Sequence, residues 1–370
     1  MIDEHKTGNQ DETTFKEAPI LAIKGFLMGS ADIVPGVSGG TMALILGIYE
    51  RLLNAIKSVN LEVIKNLITF KWKSAFSKMH LLFLVVLFSG ILSAVAFFTK
   101  VVPLQIYMFT HPEIVYGLFF GLIVGSIYVL IKEQTQFRLK ESIFLLVGIG
   151  IGLWVVNMVP SDTPDHPAFV FLTGVISISA MILPGISGSY LLLIMRKYEY
   201  VLSNISLMWG EDPITGFLNI LPFLLGALTG ITFFSRFLSW LLSKYKSQTI
   251  SVLIGFLIGS LFVIWPFQHR EFVEQIREVE VLSLTDEKVI ELRNNTNENL
   301  PEFSRLGNQV SESTIEVQTV KKKLIKSNPY LPGSIGSDGT ETPNVWGGIV
   351  GMILGGVLVI GIDYLRKKET

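Results

Sequence analysis

The chain has 370 residues, 49% of them hydrophobic and only 16% charged, and its mean hydropathy is +0.51. Soluble domains carry about 25% charge, so the composition is that of a polytopic membrane protein, and a net charge of -1 offers no footing for nucleic acid. The absence of cysteine excludes disulfides and thiolate chemistry, and the histidines (His5, His80, His111, His166, His269) are too scattered for a metal site, so neither metal nor cofactor is expected.

Residues 1–18, polar and acidic, read as a disordered cytoplasmic tail and lack the basic start of a cleavable signal. Next comes a segment, 19–57, built around Gly29 to Thr41, GSADIVPGVSGGT, whose near-copy Ser177 to Tyr190, SISAMILPGISGSY, lies 149 positions on. At that offset Phe26–Ile56 and Val175–Ile205 share 13 of 31 positions, including Pro35/Pro184, Gly36/Gly185, Ser38/Ser187, Gly39/Gly188, Tyr49/Tyr198 and Glu50/Glu199. A spanning helix needs about 20 apolar residues. Segments 81–102, 114–131, 142–159, 217–242, 250–267 and 345–364 meet that need, whereas each flank of a Pro-Gly core is shorter and ends at a helix breaker.

Lys and Arg favour cytoplasmic loops. Lys57 to His80 and Lys132 to Lys140 are rich in them and are expected inside, and Pro160 to Pro167 has none and is expected outside. A second core that re-enters from outside puts Lys244, Lys246 and the tail Arg366-Lys367-Lys368 inside, so each core is predicted as a re-entrant hairpin. Two further stretches repeat, Gly90–Val102 with Gly226–Leu238 and Gly121–Leu130 with Gly255–Ile264. The predicted fold is an all-α polytopic membrane protein with an inverted-topology repeat. Repeat 1 (19–160) and repeat 2 (168–364) each hold one re-entrant helical hairpin, 19–57 or 168–207, plus three transmembrane helices. An extracytoplasmic insertion, 268–344, interrupts repeat 2; within it 271–293 reads as an amphipathic helix and 327–342 as a linker, with no ligand site expected.

The chemistry is expected at the two cores. A helix starting at mid-membrane presents unpaired N–H groups and the positive end of its dipole, which suit a phosphate or carboxylate. Gly36, Gly39, Gly40, Gly185 and Gly188 leave that backbone open, and Ser38, Thr41, Ser187 and Ser189 add hydroxyl donors. The competing reading is close helix packing by small residues. Asp32, whose repeat partner is Met181, either takes a coupling proton or cation or caps a half-helix. Arg236 either snorkels to the interface or pairs with an anionic headgroup. Glu50 and Arg51, about 15 Å beyond the first break at 1.5 Å per residue, and Arg196, Lys197 and Glu199 at the outer end of the second copy either anchor at headgroup level or act in gating.

GSADIVPGVSGGTMALILGIYERL, followed by ILPGISGSYLLL, closely resembles the polyprenyl-phosphate transporter family (PopT type) from about Ile20 to the last span, the insertion excepted. The resemblance implies a flippase in the bacterial cytoplasmic membrane, with both termini cytoplasmic, returning undecaprenyl phosphate from the outer to the cytoplasmic leaflet for reuse in cell-wall synthesis. Membrane lipids and a coupling proton or sodium ion are the other expected partners. One rival is a secondary transporter of small anions or organic acids. The other is an undecaprenyl-diphosphate phosphatase-like enzyme, disfavoured because Gly39 and Gly188 stand where that motif continues with Arg, and the Glu-x-x-x-Glu at Glu274 to Glu278 falls in the insertion.

Overall fold

The structure is a computed structural model that describes residues 13–34, 38–58, 63, 65–66, 69–72, 80–134, 138–158, 160–161, 163–210, 212–294, 298, 300–332 and 344–369. Gly36, most of the expected tail and part of the expected linker lie outside the described residues.

The first Pro-Gly region forms α1 (Ala18–Asp32), α2 (Gly39–Ile45) and α3 (Tyr49–Ser58). Pro19 suits the first turn of α1, where its missing N–H is not needed, and α1 stops three residues before Pro35. The second forms α8 (Pro167–Ile182), α9 (Gly188–Ile194) and α10 (Tyr198–Trp209). The 149-residue offset seen in the sequence reappears in the bounds: α1 and α8, α2 and α9, and α3 and α10 each begin 149 positions apart. At the turn after each short helix the backbone is left-handed, φ +69° at Gly47 and +50° at Arg196, which are again repeat partners. Chain direction is therefore set the same way in both copies, although only one of them uses glycine for it.

Between and after these regions lie α4 (Leu81–Lys100), α5 (Leu104–Thr110), α6 (Pro112–Glu133), α7 (Leu139–Val156), α11 (Pro213–Lys244), α12 (Lys246–Ile264) and α14 (Val345–Glu369). Among the described residues, α4, α6, α7, α11, α12 and the part of α14 from Val345 to Tyr364 are long and apolar enough to cross a membrane. In α6 and α12, 61% and 56% of the most apolar stretch is buried, against 17–22% in the other four, so this pair forms the interior and the others face lipid. Small residues bring the helices together, as van der Waals packing rather than hydrophobic burial must in a bilayer. Gly25 and Gly90 join α1 to α4, and Gly174 and Gly226 join α8 to α11; Gly121 and Gly355 join α6 to α14, and Gly148 and Gly255 join α7 to α12. The first two pairings lie within one half each. The last two cross between halves and interchange when the halves are interchanged.

The insertion corrects the all-α expectation. It holds a three-stranded antiparallel sheet of order β1-β3-β2, made of β1 (Gln268–Ser283), β2 (Glu302–Gln309) and β3 (Thr314–Pro329), with one short helix, α13 (Glu287–Asn294). In place of the amphipathic helix expected over 271–293, β1 pairs with β3 from Gln268↔Pro329 to Ser283↔Thr314. Val279 and Val281 alternate with Glu278 and Glu280, a period of two in β-branched residues, and the ladder partner lies about 40 residues on. Part of the expected linker is likewise strand, because β3 extends to Pro329. A small core of Val317, Val320, Phe303 and Val289 holds the sheet, each 5% exposed or less. The sheet stands on the membrane body through Phe109 and Phe272, whose rings lie 4.8 Å apart, and through the Arg270 guanidinium, 4.3 Å from the Tyr116 ring centre. Burial lowers the Arg270 pKa from its usual range, and Tyr116 and Glu113 beside it partly offset this.

Candidate functional site

The two Pro-Gly regions, 149 residues apart in sequence, meet in space. Thr41 Oγ1 on α2 accepts a hydrogen bond from the Gly185 N–H at 2.9 Å. Ser38 Oγ donates to the Met181 carbonyl at 3.3 Å, and the Tyr49 hydroxyl on α3 donates to the Ile182 carbonyl at 2.9 Å. A β-carbon at Gly40 would lie 2.8 Å from the Ile182 carbonyl oxygen, so Gly40 sets how closely α2 approaches the second break. The unwound segment after α8 thus has backbone groups satisfied by side chains of the other copy, as non-helical backbone in an apolar setting requires.

The four hydroxyls are not equivalent. Ser38 and Thr41 are 3% and 0% exposed and committed to the protein: Ser38 caps α2 by accepting from the Gly40 N–H at 3.2 Å, besides its bond to Met181. Ser187 and Ser189 bond each other at 2.9 Å; Ser187 is half-buried and Ser189 exposed, so these two remain open to a ligand. Gly188 packs on the Ser177 carbonyl, where a β-carbon would come within 2.4 Å.

Asp32 caps a half-helix in this state. Its Oδ1 accepts from the Gly39 N–H at 2.6 Å, so the start of α2 already holds an anion, the protein's own. Met181 stands at the matching place before α9, where Ser187 Oγ accepts from the Tyr190 N–H at 3.4 Å. The two starts, alike in sequence, differ by one carboxylate.

The remaining residues singled out in the sequence lie elsewhere. Arg236 on α11 donates from Nη1 to the Thr232 carbonyl of its own helix at 2.7 Å and joins neither break. Glu50 pairs with Lys246 at 2.7 Å, linking α3 to the start of α12 across the halves. Arg51 bonds the Thr13 hydroxyl at 2.7 Å, lies 3.5 Å from the Glu17 carboxylate and stacks 4.8 Å over Phe83. Arg196 occupies the left-handed turn and is exposed; Glu199 sits in the first turn of α10. The buried cation of this group is Lys197, 2% exposed, which donates to the Thr163 carbonyl at 2.8 Å and pairs with Asp165. Sequence reading passed over Glu141, 6% exposed, whose carboxylate accepts from the Arg138 N–H at 3.1 Å and the Ser247 hydroxyl at 3.2 Å. Its one sequence signal was a carboxylate in the first turn of an otherwise apolar helix.

Thr41→Val tests the contact between the breaks. It leaves the half-buried Gly185 N–H without its acceptor and is expected to destabilise the protein by about 1–3 kcal/mol, lowering the thermal midpoint in detergent. Thr41→Ser keeps the hydroxyl and is expected to lose less.

Spanning helices packed around two facing helix breaks make this a multi-pass membrane protein of the transporter class. The chain belongs to the VCA0040-like, undecaprenyl phosphate translocase-like family, which residues 28–281 match. It is 37% identical over 251 residues to a polyprenyl-phosphate transporter of Vibrio cholerae, covering 66% of this chain and 77% of the relative. It is 31% identical over 261 residues to a polyprenyl-phosphate transporter of Staphylococcus aureus, covering 66% of this chain and 85% of the relative. No solved structure matches the chain.

Proposed function

We propose that the protein transports a polyprenyl phosphate, undecaprenyl phosphate in the first instance, from the outer to the cytoplasmic leaflet of the bacterial cytoplasmic membrane. The relatives are named as polyprenyl-phosphate transporters, and the protein is a transporter and not an enzyme. The observation that carries the reading is the direct contact of the two breaks, Thr41 with Gly185 and Ser38 with Met181, within a body of apolar helices. Irregular backbone at membrane depth is tolerated where it lines a cavity or is buried in protein, which is where transporters bind their substrates.

The two halves have opposite orientations in this reading, with both termini and the Lys/Arg-rich loops cytoplasmic and the sheet outside. The phosphate is met by Ser187, Ser189 and the backbone at Gly185 and Gly188. The first break, through Gly36, Ser38, Gly39, Gly40 and Thr41, takes it over when Asp32 gives up its hold on Gly39. Asp32 is thereby the place where a proton or sodium ion couples to transport, since neutralising the carboxylate weakens a charge-assisted bond. Glu50 with Lys246 joins one half to the other and must rearrange if they rock, and Arg51, Arg196 and Glu199 sit at the ends of the same moving units. Arg236 meets the headgroup from the side of α11.

The chain has no cysteine, so single substitutions report sidedness directly. Ser313→Cys, in the turn before β3, is expected to react with an impermeant maleimide from outside intact cells, and Lys244→Cys only after the inner face is opened. Labelling of Ser313→Cys solely from the inner face would contradict the orientation. In vesicles with an imposed proton or sodium gradient, one gradient is expected to drive net accumulation of the lipid in one leaflet, and Asp32→Asn to uncouple it. Equal net movement by wild type and Asp32→Asn under both gradients would remove Asp32 from coupling.

A further inference from the structure

Between α7, α11 and α12 lies a cavity of about 550 Å³, within the range of small-molecule sites. Its polar end is at the helix termini, where Lys140, Tyr245 and Gln248 line it. From Gln248 it follows α12 for eight residues to Phe256, about 12 Å at 1.5 Å per residue, and beyond Thr249 every side chain of α12 that lines it, Val252, Leu253 and Phe256, is apolar. Its inner end is Leu183, next to the second Pro-Gly core, and there the backbone of Phe256 presses on Gly185, where a β-carbon would lie 2.7 Å from it. Phe144 and Phe237 on its walls are 41% and 42% exposed on helices that otherwise face lipid, so the cavity opens sideways to the bilayer.

We propose that this cavity binds the transported lipid at one membrane face: a single prenyl chain along the aromatic wall, ending in a phosphate monoester at Lys140. This rests on the transporter reading above and names a site that the paired breaks do not include. Three observations favour a single-chain phosphate over a bulk lipid. The cavity is one continuous slot; its polar end carries a cation; and among the described residues Lys140 has no hydrogen-bond or salt-bridge partner. The adjacent carboxylate, Glu141, is held by the Arg138 N–H, Ser247 and, at 3.4 Å, the Gln248 amide. In the proposed orientation the mouth lies at the cytoplasmic leaflet, so the cavity is where the lipid leaves after its headgroup has passed both breaks.

The test uses the full chain in lipid nanodiscs and a prenyl phosphate carrying a photoreactive diazirine near the phosphate. Labelling is expected on α7, α11 and α12 at the cavity wall, and unlabelled polyprenyl phosphate, but not phosphatidylglycerol, is expected to compete. Val252→Trp, which fills the slot, is expected to cut labelling about tenfold. Lys140→Gln is expected to weaken binding of the phosphate probe about tenfold, the equivalent of one charge-assisted hydrogen bond, and to leave binding of the uncharged prenol unchanged. Lys140 is exposed at a helix start, so this second variant carries the test if the first does not fold. Label elsewhere, equal competition by phosphatidylglycerol, or equal loss of phosphate and prenol binding in Lys140→Gln would overturn the proposal. Leaflet exchange by the same wild-type protein separates the two readings. Exchange with label outside the cavity sinks this site alone, and no exchange sinks the transporter reading.

Discussion

Gly185→Ala is expected to cost about 2–5 kcal/mol and to abolish transport. Two separate penalties meet at this residue. Its φ of +82° lies in the left-handed region, where a side chain adds about 1–2 kcal/mol of strain. The new β-carbon would also sit 2.7 Å from the Phe256 carbonyl carbon and oxygen, which are backbone and cannot swing aside. Overpacking of that kind costs about 1–3 kcal/mol more. Relief requires the second break to draw back from α12, which lengthens the bond from the Gly185 N–H to Thr41 and so separates the two halves of the site. The thermal midpoint in detergent measures the first effect. A Gly185→Ala protein with wild-type midpoint and wild-type exchange would show that the close contact with α12 is not needed.

Gly121→Leu is expected to be the most damaging change away from the breaks. At Gly121 a β-carbon would fall 2.0 Å from the Met352 carbonyl oxygen, on the line along which α6 and α14 cross. The helices must part for any side chain to fit, and the expected cost is about 3 kcal/mol, seen as loss of monodisperse protein on size exclusion. Gly150→Leu is the matched control. Gly150 has nothing within 4 Å of its β-carbon position, so the same substitution there is expected to change stability by no more than about 0.5 kcal/mol. Equal tolerance at both positions would mean that α6 and α14 are not in contact.

Much of the helical body was legible because its signals are local. The length of an apolar run and the offset between Pro-Gly-x-Ser-Gly copies depend only on neighbours in the chain, and both reappear in helix bounds displaced by 149 residues. The insertion was less legible. Residues 271–283 carry apolar side chains at spacings that fit a helix about as well as a strand, and the choice is made by pairing with Thr314–Pro329. The site was half legible. Repetition marked the two breaks that meet in the structure but suggested that both copies do the same thing, whereas Ser38 and Thr41 turn into the protein and Ser187 and Ser189 do not. That difference follows from which copy packs into the other, a tertiary fact with no local mark. The burial of the charges Lys197 and Glu141 was similarly opaque, since nothing in RKYEY or LKES distinguishes a cation or carboxylate at the interface from one drawn inside. Asp32 was the exception: its asymmetry with Met181 was visible at once, and the structure gives it the capping role that the sequence left open beside ion binding.

The central claim is that the facing breaks move a polyprenyl phosphate between leaflets, and leaflet exchange in proteoliposomes tests it most directly. Headgroup-labelled undecaprenyl phosphate would be followed with purified wild-type protein, with a Ser38→Ala/Ser187→Ala variant and with empty vesicles. Exchange is expected to be faster than in empty vesicles with wild type and to fall to their rate with the double variant. Wild type no faster than empty vesicles, under every imposed ion gradient, would contradict the assignment.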